Sequence, residues 1–138
     1  MRRLAALLLM LTIFTSGGEC SDGGISKAQV EAMFDAMRQN APWSVDGPLL
    51  WGYFFNSSER AQLHSVSDVL ASQGYRLVRI SERRSLRDSS SSWTLHVERV
   101  ESHTVDTLHQ RNQELDALAR EHGLVAYDGM DVGPVPKE

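Results

Sequence analysis

His96 and Glu98 stand two residues apart in a run that alternates, Trp93, Leu95 and Val97 against Thr94, His96 and Glu98. In an extended chain that spacing puts an imidazole and a carboxylate on one face. Such a pair can supply two metal ligands, or a general acid and its base. His103, Asp128 and Asp131 are near enough in sequence to join them, but no HExxH or histidine-rich spacing fixes a third ligand. The ordinary alternative is a half-exposed sheet face carrying polar side chains, and no metal or other cofactor is expected. Ser89 to Ser92 lack a GxSxG elbow or a placed base and read as loop. No residue is assigned a catalytic role, and the enzyme reading requires His96, Glu98 and His103 to converge.

Binding is the stronger expectation. Trp51, Tyr53 and Phe55 alternate with Leu50 and Phe54. Aromatics on an open sheet can stack bases, but the basic glycine-aromatic signature of such modules is missing. They read instead as core or as a protein interface, with the open face around Trp51, Tyr53, His96 and Glu98 as the docking surface. Asn112, in the last helical pattern, can hydrogen-bond the segment Tyr127-Asp128-Gly129, where glycine permits a positive φ. Asn112, Tyr127, Asp128 and Asp131 complete the set of candidate binding residues. Arg76, Arg79, Arg83, Arg84 and Arg87 face only Glu82 and Asp88, a local charge of +3. Simple strand alternation splits these arginines between two faces, which favours a solvated hairpin.

With 138 residues, the chain has room for one ordinary domain. Eighteen acids against fourteen bases give a formal charge of −4, which disfavours a uniformly basic nucleic-acid binder. The single cysteine, Cys20, excludes an internal disulfide and a multi-cysteine zinc site. Met1-Arg2-Arg3, the apolar run Leu4 to Phe14 and the small residues after it have the order of a secretory signal peptide. Eleven residues as a helix reach about 16 Å, roughly half of a hydrocarbon core. Cleavage after Gly18 is expected, so the mature protein works outside the cytoplasm, periplasmic or secreted. Cys20 is also placed for lipidation, which would be the one route to a membrane.

The elements that must hold these residues follow from the pattern. Residues 1–18 form the signal and 19–25 a linker, and a helix occupies 26–42 with Ser26 as its cap. Val30, Met33, Phe34 and Met37 form its apolar face, and Pro42 ends it. Leu49 to Phe55 reads as a strand, followed by a turn at Asn56-Ser57-Ser58. A helix then runs from Ser58 to Gln73 with Ala61, His64, Val69 and Leu70 on its face and Leu63 and Val66 beside it. Strands follow at Tyr75–Ile80 and Trp93–Val100, around a polar tip at 83–92. Thr104 caps a helix to His122 carrying Val105, Leu108, Leu115, Leu118 and Ala119 inward. A short strand, Leu124–Tyr127, precedes a turn-rich stretch to Pro134 and a tail at 135–138. The order βαββαβ predicts an α+β, ferredoxin-like sandwich: a four-stranded antiparallel sheet with helices on one face, plus the N-terminal helix.

Asp46-Gly47-Pro48-Leu49-Leu50-Trp51-Gly52-Tyr53-Phe54-Phe55 and Trp93-Thr94-Leu95-His96-Val97-Glu98-Arg99-Val100 resemble the RraB domain family, named for a regulator of ribonuclease E. The resemblance continues in Leu108 to Ala119 and in Tyr127-Asp128-Gly129-Met130-Asp131-Val132-Gly133, so that the domain would span 46–134. It implies a ferredoxin-like fold and a non-enzymatic protein that binds a protein partner. The founding regulator is cytoplasmic and has an acid-rich tail, where this chain has an export signal and Pro134-Val135-Pro136-Lys137-Glu138. The expected partner is therefore an unknown protein, with no nucleic acid. Ribonuclease E itself is expected only if the chain stays in the cytoplasm, where it would modulate RNA decay.

Overall fold

Ser26 opens the first helix with a reciprocal capping box: its hydroxyl accepts from the Gln29 amide at 3.1 Å, and Gln29 Oε1 accepts from the Ser26 amide at 2.8 Å. The computed structural model describes residues 24–123 and 125–137. The expected signal peptide and Cys20 lie outside them. Helix α1, Lys27–Asn40, stops at Ala41 before Pro42 and buries the expected Val30, Met33, Phe34 and Met37. The remaining elements are β1 (Leu49–Ser57), α2 (Arg60–Ser72), β2 (Arg76–Arg84), β3 (Ser91–Glu101), α3 (Val105–Glu121) and β4 (Val125–Gly133). The four strands form one antiparallel sheet in the order β2-β3-β1-β4, the ferredoxin-like arrangement.

Register decides which side chains share a face. Trp51, Tyr53 and Phe55 of β1 pair with Arg99, Val97 and Leu95 of β3, and Val132, Met130 and Tyr127 of β4 lie beside them. Trp51, Tyr53, Phe55 and Leu95 have no exposed surface. Burying each such large side chain is worth about 1.5–3 kcal/mol. The helices pack on this face: Phe34 of α1 lies 6.2 Å from the Trp51 ring, and Tyr127 of β4 donates to Asn112 of α3. The buried apolar residues of all three helices belong to the same core cluster.

Four local expectations are corrected. Asn56 and Ser57 continue β1 instead of turning, because Thr94 donates to Asn56 Oδ1 at 2.9 Å and Ser57 pairs with Trp93. Helix α2 starts after Glu59, not at Ser58, and Ser57 Oγ accepts from the Glu59 amide. Its buried face is Leu63, Val66, Ser67 and Leu70, whereas Ala61 and His64 are exposed and Val69 is half-buried. The stretch Asp128–Gly133 is strand, not turn: β4 runs on through it with a bulge opposite Phe54 and Phe55, where Gly129 takes φ +118°. Turn-forming residue types there serve the bulge and not a loop.

A second bulge, at Val78, interrupts β2 between Leu77 and Arg79. It brings Leu77 and Ile80 to the covered side, opposite Val97 and Leu95. It also brings Arg76 and Arg79 to the other side, opposite Glu98 and His96. The arginines are still split between two faces, but the bulge gathers Arg76, Arg79 and Arg83 on one of them and leaves Arg84 on the other.

Candidate functional site

The sheet face away from the helix-packed core carries Leu50, Gly52, Phe54 and Asn56 from β1, and Thr94, His96, Glu98 and Val100 from β3. On β2 it carries Arg76, Arg79, Ser81 and Arg83, and on β4 Ala126, Gly129, Asp131 and Gly133. His96 and Glu98 do share this face, as their spacing predicts. Trp51 and Tyr53 do not: they were expected beside them, but both are fully buried on the covered face. The reason is that β1 is apolar on both faces, so its composition leaves the facing open and the pairing with β3 settles it.

Gly52 is the centre of the open face. A Cβ at this position would collide with Asp131 Oδ1 and lie 2.8 Å from His96 Nε2. The missing side chain is what lets an acid from β4 and an imidazole from β3 approach each other across β1. Asp131 is 8% exposed, and its Oδ2 has no hydrogen-bond partner among the described residues. Burial raises the Asp131 carboxyl above its ordinary range, against the opposing pull of His96 and the Gly52 amide. Burial likewise lowers His96, which Asp131 would raise and which Arg79 and Arg76 lower further. The His96 ring stacks on Phe54 with centroids 4.4 Å apart and planes at 19°. Glu98 is paired with Arg76.

His103 is elsewhere. Its ring meets the edge of Trp51 at 5.3 Å on the covered side, and its Nε2 donates to Glu101 Oε2 at 2.8 Å. The set His96, Glu98 and His103 therefore does not converge, and the acid/base enzyme built on it has no support. Glu101 is instead the hub of a network that the sequence reading missed. It accepts from Tyr53 Oη at 2.7 Å and from Arg111 Nη2 at 2.8 Å as well. Burial alone would raise its carboxyl, but the hydrogen bonds from His103 and Tyr53 and the charge of Arg111 hold it below the usual range. With Nε2–H directed at Glu101, His103 Nδ1 faces the Thr107 hydroxyl at 3.0 Å. Both ring nitrogens thus have partners, and the adjoining cleft of about 250 Å³ is lined by Glu101, His103, Thr107, Arg111 and Glu114. The network ties the first half of α3, through Thr107 and Arg111, to the middle of β1 and the end of β3. The polar cluster at 101–111 gave no periodic signal that could have revealed it.

Asn112 and Tyr127 form a second tie. Tyr127 Oη donates to Asn112 Oδ1 at 2.6 Å, between α3 and β4. Asn112 is buried and Tyr127 partly so, and burial of its hydroxyl holds the Tyr127 phenol protonated well above its ordinary range. Asp128, by contrast, is exposed at the bulge and reaches neither this pair nor His96 by any hydrogen bond among the described residues. The eight candidate residues thus separate into an open-face group (His96, Glu98 and Asp131), three buried residues on the covered side (Trp51, Tyr53 and Asn112) with the partly buried Tyr127 beside them, and the exposed Asp128. Among the described residues no three His, Cys, Asp or Glu side chains are gathered as a metal cluster.

Residues 27–132 match the family model described as Regulator of ribonuclease activity B, RraB. The chain belongs to the RraB family. The match runs from the start of α1 almost to the end of β4, so it takes in the N-terminal helix together with the sheet. No curated protein matches the chain. Membership in the RraB family supports a regulator-like, protein-binding role.

Proposed function

We propose that this RraB-family protein is an exported, non-enzymatic module that regulates a protein partner by docking it on the open face of the sheet. The observation that carries this is the composition of that face. Half-buried Leu50 and Phe54 and the exposed Val100 supply apolar contact, and the carboxylates nearest Gly52, Glu98 and Asp131, are largely buried. Interfaces of this kind combine an apolar centre with a polar rim. The export reading rests on Met1-Arg2-Arg3 and the apolar run Leu4–Phe14, and it makes the partner something other than cytoplasmic ribonuclease E.

Two measurements test this. Intact mass and fractionation of the native protein are expected to find residues 1–18 removed and the protein outside the cytoplasm. A chain starting at Cys20 with acyl groups would place it on a membrane, and full-length protein in the cytosol would return ribonuclease E as the leading partner. A photo-cross-linking residue at Thr94, on the open face, is expected to give a discrete adduct in cells that the same probe at exposed Glu31 of α1 does not. Equal adducts from both sites, or none from Thr94, would sink the docking face.

A further inference from the structure

We propose that the open face takes an acidic, extended polypeptide segment, whose carboxylates are held by Arg79 and Arg83 along the edge strand β2. This inference rests on the docking-face reading above and names the chemistry of the partner. The bulge at Val78 is its foundation. It sets Arg76, Arg79, Ser81 and Arg83 in one row on the open face, opposite Glu98, His96, Thr94 and Ser92. The carboxylates of that face are withdrawn from the surface: Glu98 pairs with Arg76, and Asp131 is buried beside Gly52. They are 9% and 8% exposed, so little negative charge reaches the surface there. Arg79 and Arg83 are exposed and have no ion-pair partner among the described residues. A chain of net charge −4 therefore shows a positive edge on this one face.

The spacing and shape fit a peptide. Four residues of strand separate Arg79 from Arg83, about 13 Å, the distance between side chains at i and i+4 of an extended segment. Being the last strand in the sheet, β2 has room beside it for such a segment. Charges on an edge strand also discourage indiscriminate pairing, and they select an acidic segment over a neutral or basic one. Single-stranded nucleic acid fits less well. The rings of Phe54 and His96 stack on each other across neighbouring strands, which takes up one flat face of each that a base would otherwise use.

The test is fluorescence anisotropy with the full chain and three labelled probes: an eight-residue glutamate-serine peptide, its lysine-serine counterpart and an oligouridine RNA. Saturable binding of the acidic peptide is expected, weakening with added salt. The double variant Arg79→Glu/Arg83→Glu is expected to bind it about tenfold more weakly, as two exposed ion pairs are lost and reversed. Arg84→Glu, on the opposite side in the register, is expected to change it little. Circular dichroism checks that all variants fold. Equal affinity for the two peptides, an equal effect of Arg84→Glu, or tighter binding of the RNA would overturn the proposal. Thr94→Trp separates it from the docking-face reading. If Thr94→Trp blocks binding while the arginine reversal does not, the face stands and the acidic chemistry falls. If neither variant matters, both fall.

Discussion

Glycine at 52 leaves the room that Asp131 and His96 enter from the two neighbouring strands. Gly52→Ala must displace the Asp131 carboxylate, which is buried, so the neighbouring strand shifts with it. A loss of about 1–2 kcal/mol is expected in denaturant unfolding. Asp131→Ala in the same chain should relieve part of it, with a coupling of at least about 0.5 kcal/mol in the double-mutant cycle; strict additivity would show that the two sites do not touch. Glu101 controls the acid limb of stability. Its folded carboxyl is held below the ordinary range, so its contribution is complete above the unfolded value near pH 4.3 and is lost as pH falls through the folded one. Glu101→Gln is expected to cost about 2 kcal/mol at neutral pH, since Arg111 and Arg99 lose their buried counter-charge. The cost should shrink towards zero as both proteins are acidified. A constant difference at every pH would mean that the carboxylate's charge is irrelevant.

At the scale of elements, α3 is joined to β4 by a polar contact inside an otherwise apolar stripe. Leu108, Asn112, Leu115 and Ala119 are its buried residues, so Asn112 occupies a place where the helix period asks for a hydrophobe. Tyr127→Phe would leave Asn112 Oδ1 buried without its donor. The expected loss is about 1–3 kcal/mol. Asn112→Leu combined with Tyr127→Phe should recover most of it, and thermal melts of the wild type and these two variants decide whether the hydrogen bond or the packing holds α3 in place. If the double variant is worse than Tyr127→Phe alone, the amide has a role beyond satisfying the phenol.

For the whole molecule, one face of the sheet is committed to the core and the other is left to a partner. The helices cover Trp51, Tyr53 and Phe55, and the two strand bulges adjust what remains. One admits Gly129 and carries β4 on to Asp131; the other aligns Arg76 with Arg79. The cross-linking and peptide experiments above belong at this scale, because they read the face as a surface and not as a set of separate groups.

Periodicity in the sequence was enough for the order of elements, the caps at Ser26 and Thr104, and the shared face of His96 and Glu98, since each depends on neighbours two to four residues away. Glycine within the bulky run Leu49–Phe55 was also a readable sign of close approach, though it went unused. By itself the sequence determined an RraB-family, ferredoxin-like chain with a polar face on its third strand. Only the tertiary structure decided that Trp51 and Tyr53 face the helices, that Asp131 and His96 close on Gly52 from either side, and that His103 turns away to Glu101. The physical reason is register. A strand that is apolar on both sides does not declare its facing, and a single bulged residue reverses every side chain beyond it, so these contacts exist only once distant strands have paired.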